Sequence, residues 1–230
     1  FNYYLPLFEQ YSTTNTNKHT RMTAIHDKFE QQAQLTPKAI AVDNGAERIT
    51  YEQLSIISSH LALSLMHSDG IATGSRVGVF MTSTIERIVA IFAILKTGAC
   101  YIPIDPDMPH QYNSAVMDDC KPNLVLTTME YRIDLSNTIP TKDDTIRTFD
   151  LKSLLSKPSS LSEQEVSSFP VVYGEQPAYI IYTSGSTGKP HGVVCGHTGL
   201  CLLIDDCSRR LNVYVGDHVL QYASPSFDAS

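Results

Sequence analysis

The stretch from Tyr182 to Gly192 concentrates residue types that bind phosphate. It reads Tyr-Thr-Ser-Gly-Ser-Thr-Gly-Lys-Pro-His-Gly and follows the apolar run Tyr179-Ile180-Ile181. Glycines let the backbone approach a ligand and turn consecutive N–H groups toward an anion. Hydroxyls add donors and the lysine adds a positive charge. A flexible surface loop is the alternative, but the preceding strand and the Gly-Lys-Pro exit favour a polyphosphate-binding loop. Its predicted residues are Thr183, Ser184, Gly185, Ser186, Thr187, Gly188 and Lys189.

This loop is not a Walker A motif, which requires G-x-x-x-x-G-K-[ST]. Here only two residues separate Gly185 from Gly188, and Pro190 stands where a magnesium-binding hydroxyl would follow the lysine. The segment closely resembles the phosphate-binding signature of the adenylate-forming superfamily, which includes acyl-CoA synthetases, luciferases and the adenylation domains of nonribosomal peptide synthetases. It departs from that signature at His191, which replaces a second lysine and is mostly neutral near pH 7 when unperturbed.

Three further segments resemble the peptide-synthetase branch. They are Ile49–Leu54 (Ile-Thr-Tyr-Glu-Gln-Leu), Leu95–Pro106 (ending Tyr-Ile-Pro-Ile-Asp-Pro) and Phe227–Ser230 (Phe-Asp-Ala-Ser). Local structure also explains the first two, as a helix cap and as a helix stop followed by a buried strand. The Pro-Ile-Asp-Pro and Phe-Asp-Ala-Ser endings favour activation of an amino acid over a fatty-acyl or aryl group.

The resemblance implies a role for each of the last substrate-side residues. It implies that Asp228 holds the α-ammonium of an amino acid, since a carboxylate forms a charge-assisted hydrogen bond with an amine. Ala229 corresponds to a small residue lining the side-chain pocket, and Phe227 to an aromatic residue near the reacting carboxylate. Without the resemblance, Asp228 would be interpreted as a loop-capping residue.

The implied reaction joins an amino acid to ATP as an aminoacyl-adenylate and releases pyrophosphate, with Mg²⁺ on the nucleotide. The aminoacyl group would then form a thioester with the phosphopantetheine of a carrier domain, beside a condensation domain of the same synthetase. The family's magnesium-binding glutamate, ribose-binding aspartate and catalytic lysine would lie beyond Ser230, so no catalytic or metal-binding residue is predicted within this chain. Two alternatives stay open: an acyl- or aryl-CoA ligase, and a truncated binding fragment without turnover.

Composition excludes several other classes. The formal net charge is −7, from 17 Lys+Arg and 24 Asp+Glu, which argues against nucleic acid and anionic membranes as partners. The longest apolar run, Ile88–Leu95, is too short to span a bilayer. No secretory signal is visible, and none of the five cysteines lies in a CxxC pair. We therefore expect a cytoplasmic protein with reduced thiols.

A strand–helix alternation must position these residues. Short strands are predicted at 40–42, 49, 77–81, 100–104, 124–126 and 179–182, with helices after most of them. Capping boxes are predicted at Thr50/Gln53 and Ser83/Glu86, and a left-handed helix end at Gly98. This alternation predicts an α/β fold: a parallel sheet covered by helices on both faces. It corresponds to the N-terminal part of the large lobe of an adenylate-forming enzyme.

Three regions break the alternation. Residues 1–23 are predicted to be an interdomain linker, and 24–230 the incomplete adenylation domain; the chain opens with Phe1, so we expect it not to begin at its native start. The serine-rich stretch 129–170 is predicted to have little regular structure. After a helix at 198–211, a final strand at Val219–Tyr222 is predicted to form an unpaired sheet edge. Lys96 is expected to interact with the last carbonyls of its own helix, and His197 to make a local hydrogen bond at a helix start.

Overall fold

Strands and helices alternate through most of the chain in the computed structural model, which describes residues 24–82, 84–138, 145–157, 160–184, 189–214, 216–221, 223–224 and 226. The helices are α1 (Ile25–Leu35), α2 (Tyr51–His67), α3 (Ile85–Lys96), α4 (His110–Cys120), α5 (Arg132–Thr138), α6 (Leu151–Leu155), α7 (Glu163–Ser167) and α8 (His197–Arg210). The strands are β1 (Ile40–Asp43), β2 (Arg48–Thr50), β3 (Arg76–Phe80), β4 (Cys100–Ile104), β5 (Leu124–Thr127), β6 (Ile146–Thr148), β7 (Pro177–Ser184) and β8 (Pro190–Gly196).

The main sheet has six strands in the order β6-β5-β3-β4-β7-β8. All neighbours are parallel except β7 and β8, which form an antiparallel hairpin. Strands β1 and β2 pair separately as a small antiparallel ribbon. The predicted parallel sheet is confirmed; the hairpin is antiparallel because too few residues separate β7 from β8 for a crossover helix.

Alternation along β3 divides the core between the two faces of the sheet. Val77 and Val79 join a cluster with residues of α2 and α3, whereas Phe80 joins a second cluster with residues of α4. Gly78 faces the second cluster, and a Cβ there would lie 3.1 Å from Ile104 Cδ1 and 3.3 Å from Val125 Cγ2. Helices therefore cover both faces, as the sequence predicts.

Local helix signals are confirmed at two of three places. Thr50 Oγ1 accepts from the Gln53 N–H at 3.2 Å, and Gln53 Oε1 accepts from the Thr50 N–H at 2.9 Å. Gly98 ends α3 with φ 75°, and a Cβ there would lie 2.6 Å from Thr73 Oγ1. The Ser83/Glu86 box is wrong, because the residue that directly precedes α3 is Thr84, which accepts from the backbone N–H of Arg87. Ser83 itself lies outside the described residues.

The stretch 129–170 contains more regular structure than predicted. It forms α5, β6, α6 and α7, each of seven residues or fewer. Short-range caps stabilise the two shortest helices: Asp150 accepts from two N–H groups of α6, and Ser162 forms a capping box with Glu165 at α7. Composition alone did not reveal them, because serine both interrupts helices and caps them.

The strand predicted at Val219–Tyr222 is not formed by the described residues 219–221. Val219 and Leu220 are 79% and 82% exposed and pair with no other strand. Apolar character without a neighbouring strand is insufficient, because strand stability comes from cross-strand pairs. Among the strands that the structure describes, β8 is the last on this side of the sheet, and the predicted strand edge at Val219 is wrong. Among the described helices, none has both the length and the apolar character needed to cross a bilayer.

Candidate functional site

The predicted phosphate-binding loop connects the two strands of the β7–β8 hairpin. Thr183 pairs with His191, and Ser184 pairs with Pro190, which directly follows the exposed Lys189. The hairpin thus brings Thr183, Ser184 and Lys189 to one end of the sheet. Gly185, Ser186, Thr187 and Gly188, which come between the two strands in sequence, lie outside the described residues, so their role remains a prediction.

Tyr182 anchors the first strand of this hairpin. Its side chain is buried, and its hydroxyl donates to Asp119 Oδ2 at 2.6 Å. The hydroxyl of Tyr112 donates to the backbone carbonyl of Tyr182 at 3.2 Å. Because Tyr112 and Asp119 both belong to α4, that helix holds the strand immediately before Thr183 at two points.

Gly192 makes room for this anchor on the opposite strand. It pairs with Tyr182, and a Cβ on Gly192 would lie 3.0 Å from Tyr182 Cζ and 3.1 Å from its hydroxyl oxygen. Burial raises the pKa of Tyr182, and the hydrogen bond to Asp119 raises it further. The phenol therefore stays protonated near neutral pH and keeps donating to the carboxylate.

A second polar centre lies at the end of β4, next to β7. Tyr101 pairs with Tyr179 in parallel register; continued along both strands, this register places Asp105 level with Thr183. The buried Asp105 accepts from the N–H of Asp107 at 3.0 Å and from the hydroxyl of Ser224. The segment that leads to the predicted substrate residues is therefore fastened beside the hairpin that is predicted to bind phosphate.

Phe227, Asp228 and Ala229 themselves lie outside the described residues, so their roles remain predictions. Ser224, four positions before Asp228, marks where their segment approaches the sheet. The Ser226 N–H donates to Ser224 Oγ at 3.3 Å, which turns the chain there. The sequence motifs predicted both halves of the site, but nothing in their spacing indicated the bond between Asp105 and Ser224.

The local hydrogen bond expected of His197 is wrong, because the side-chain bond that it forms among the described residues is long-range. Its ring is fully buried at the start of α8, and Nδ1 accepts from the N–H of Ile25 at 3.3 Å. It lies edge-to-face with His26, with 5.6 Å between ring centroids. Burial lowers the pKa of His197 to about 4, with a further lowering from His26. His197 is thus a neutral residue that joins α8 to α1.

Lys96 does not interact with the end of its own helix, so that expectation is wrong. Its ammonium donates to the Ser55 carbonyl at 2.9 Å and to the hydroxyls of Ser58 and Ser59 at 2.9 and 2.8 Å. It also pairs with Glu30 Oε1 at 2.5 Å. Burial lowers the pKa of Lys96, and the Glu30 carboxylate opposes that effect. The long side chain reaches across α2 to α1 because the ion there is better satisfied than at the C-terminal carbonyls of α3.

A pocket of about 310 Å³ lies elsewhere, after the ends of β5 and β6. Its walls carry the carboxylates of Glu86, Glu130 and Asp150, together with Thr128 and Phe149. The described residues Thr183 and Lys189 do not line it, and three carboxylates oppose the binding of an anionic phosphate. Within the part of the chain that the structure describes, no group of three His, Cys, Asp or Glu side chains is placed to hold a metal ion.

Comparison with known proteins identifies the family. The family model described as AMP-binding enzyme matches residues 29–230, which is most of the chain. The chain belongs to the AMP-binding enzyme family. The matched region includes the β7–β8 hairpin and the neighbouring strand β4.

The relatives of this chain include a dimodular nonribosomal peptide synthase of Bacillus subtilis, which is 31% identical over 215 residues, covering 94% of the chain and 9% of that protein. Malpibaldin synthetase of Mortierella alpina is 35% identical over 217 residues, covering 90% of the chain and 4% of the synthetase. Tyrocidine synthase 1 of Brevibacillus parabrevis is 32% identical over 212 residues, covering 90% of the chain and 18% of that protein. The chain therefore spans only a small part of the length of these relatives.

Solved structures show the same fold. The nonribosomal peptide synthetase FmoA3, in a crystal structure bound to AMPPNP, superposes with a TM-score of 0.76 at 29% identity, covering 95% of the chain and 22% of FmoA3. The mostly parallel sheet covered by helices is therefore the fold of adenylate-forming enzymes, as the sequence resemblance implied.

Proposed function

We propose that the chain is the N-terminal part of an adenylation domain that activates an amino acid with ATP. The products are an aminoacyl-adenylate and pyrophosphate, and the aminoacyl group then passes to the phosphopantetheine thiol of a carrier domain. Residues 1–23 are the linker from a preceding domain, and residues 24–230 belong to the adenylation domain. A condensation domain of the same synthetase is the expected further partner.

One observation carries this proposal. The hairpin predicted to bind phosphate and the segment leading to Asp228 are fastened at the same end of the sheet, through Tyr182 and through the bond between Asp105 and Ser224. The reaction needs this arrangement, since the substrate carboxylate must meet the α-phosphorus of ATP. The dimodular nonribosomal peptide synthase among the relatives and the AMPPNP-bound structure of FmoA3 support the same assignment.

The chemistry assigned to these residues is binding and orientation. A carboxylate that attacks the α-phosphorus in line needs no protein nucleophile, so the rate depends on positioning and on stabilising the developing negative charge. Thr183 to Lys189 hold the β- and γ-phosphates, while Asp228 holds the substrate ammonium. Mg²⁺ would neutralise phosphate charge when bound, and the family resemblance assigns its glutamate ligand to the part of the domain beyond Ser230.

The test is amino-acid-dependent ATP–pyrophosphate exchange by the complete adenylation domain, meaning this chain together with the remainder of the domain found in its relatives. Each common amino acid is assayed singly, with a matched series of fatty and aryl acids. Exchange with one or a few amino acids supports the proposal, whereas exchange with acids that lack an amine indicates an acyl- or aryl-CoA ligase.

The chain of 230 residues is assayed beside the complete domain. We expect it to show no substrate-dependent exchange, because in-line displacement also requires a cation at the reacting centre. Loss of this electrostatic stabilisation costs several kcal/mol, at about tenfold in rate for each 1.36 kcal/mol. Strong exchange by the short chain would mean that the catalytic groups lie within it and have been misassigned.

A further inference from the structure

The bond between Asp105 and Ser224 joins two segments that lie 119 positions apart in the chain. Asp105 ends the Tyr-Ile-Pro-Ile-Asp run at the edge of the sheet, and only 6% of its surface is exposed. A buried carboxylate is costly unless its oxygens are hydrogen-bonded. The partners of Asp105 therefore show what this carboxylate does.

Three interactions hold Asp105 in place, apart from its bond to Ser224. Oδ1 accepts from the N–H of Asp107 at 3.0 Å, and the backbone carbonyl of Asp105 accepts from Asn113 Nδ2 at 2.9 Å. The buried guanidinium of Arg87 on α3 interacts electrostatically with Asp105. These contacts fix the position of Asp105, so that Oδ2 is a rigid acceptor for Ser224.

Ser224 also contacts Ser226, which lies two positions nearer to Asp228. Its Oγ accepts from the Ser226 N–H at 3.3 Å and lies 3.1 Å from Ser226 Oγ. Phe227 and Asp228 come next. Asp228 follows Ser224 by only four positions in the sequence.

We propose that Asp105 is a positioning residue for amino-acid recognition, acting through its hydrogen bond to Ser224 on the segment that carries Asp228. This inference rests on the proposed function. Asp105 does not touch the substrate; it restricts where the carboxylate of Asp228 can lie relative to the phosphate-binding hairpin. Loosening the bond therefore weakens capture of the ammonium and leaves the hold on ATP largely intact.

The experiment compares Ser224→Ala, Asp105→Asn and the double variant in the complete adenylation domain. The control is Asp107→Asn, which removes a charge from an exposed side chain two residues away and leaves the acceptor of Ser224 in place.

Exchange kinetics give KM for the amino acid and for ATP separately. We expect Ser224→Ala to raise the amino-acid KM about tenfold, with less than a twofold change for ATP. Because the two residues share one bond, the double variant should be little worse than the more affected single variant. Ser224→Thr, which keeps the hydroxyl, should restore most of the amino-acid affinity.

A second measurement does not depend on activity. Amide hydrogen exchange of the peptide covering 223–230 should become faster in Ser224→Ala and Asp105→Asn, and stay unchanged in Asp107→Asn. Unchanged exchange of this peptide overturns the inference, whatever the substrate of the domain. Equal increases in both KM values show a general structural role and also overturn it. If the peptide loosens but the parent activates only acids without an amine, the proposed function fails and so does the role of Asp105 in recognising an ammonium.

Discussion

Removing the Tyr182 hydroxyl tests whether α4 holds in place the hairpin that is proposed to bind phosphate. Tyr182→Phe keeps the buried ring and deletes one hydrogen bond, the 2.6 Å bond from the phenol to Asp119 Oδ2. A hydrogen bond to a charged partner contributes about 1.5–3 kcal/mol. Asp119 is exposed and can be rehydrated when the phenol is lost, so the lower end, about 1.5 kcal/mol, applies here.

That magnitude predicts a specific kinetic effect. A loss of about 1.5 kcal/mol raises the equilibrium constant for local unfolding of the strand end at Tyr182 roughly tenfold. Since Thr183 and Ser184 directly follow Tyr182, we expect KM for ATP to rise about three- to tenfold and KM for the amino acid to change less than twofold. The assay is pyrophosphate exchange at varied ATP in the complete adenylation domain, together with amide hydrogen exchange of residues 179–184.

A double-mutant cycle provides the control. Asp119→Ala should raise the ATP KM as Tyr182→Phe does, and combining the two changes should add little, because both remove the same bond. Asp118→Ala removes the neighbouring exposed carboxylate and should leave the ATP KM unchanged. Additive effects of Tyr182→Phe and Asp119→Ala, or an unchanged ATP KM in both, would refute the reasoning.

Three further predictions concern the substrate-binding residues and the buried histidines. Lys189→Ala and Thr187→Ala should raise KM for ATP more than KM for the amino acid, because each variant loses a contact to phosphate. Each lost contact should weaken the binding free energy of ATP by about 1.5–3 kcal/mol. Unchanged exchange kinetics in both variants would contradict the loop assignment. Asp228→Ala should impair activation of the α-amino acid, at a free-energy cost of about 3–5 kcal/mol for the lost partner of the ammonium. The variant enzyme should use the matching des-amino acid relatively better than the parent does. A variant that keeps the parent's preference would contradict the assignment of Asp228. The pKa of His197 is about 4 in the fold against an ordinary 6.5, so the folded state binds fewer protons between these values. The free energy of unfolding should therefore fall by about 3 kcal/mol as the pH falls from 6.5 to 4, with a loss of the same sign from His26. Urea unfolding across this range should show a flatter profile in His197→Gln, and an equally steep one would contradict this account.

The parts of the fold that were predictable depend on local chemistry. Thr50 and Gln53 predict a helix start because each side chain accepts a hydrogen bond from the other residue's backbone N–H, three positions away. Gly98 predicts a helix end because glycine readily adopts the positive φ found there. The alternation of strands and helices was predictable for the same reason. The stretch 129–170 was not, since its short elements depend on individual caps such as Asp150 rather than on a repeating apolar pattern.

The sequence proposes the residues of the site, which stay a prediction, but it does not indicate the contacts that support them. The glycines and hydroxyls of residues 183–189 indicate phosphate binding by their types alone. Asp119 lies 63 positions from Tyr182, and Asp105 lies 119 from Ser224, and no sequence period connects either pair. Such partners depend on which strands become neighbours, which is a property of the whole sheet. For the same reason Lys96 pairs with Glu30 on another helix instead of with the carbonyls of its own.

The contacts of α1 have a mechanical consequence. Three of its residues bond to other helices: Ile25 to His197, Lys28 to Asp205 at 2.6 Å, and Glu30 to Lys96 and Ser55. All three lie within the first six residues of α1. Tension on the chain before Ala24 would therefore pass through these bonds into α2, α3 and α8 while most of α1 is still in place.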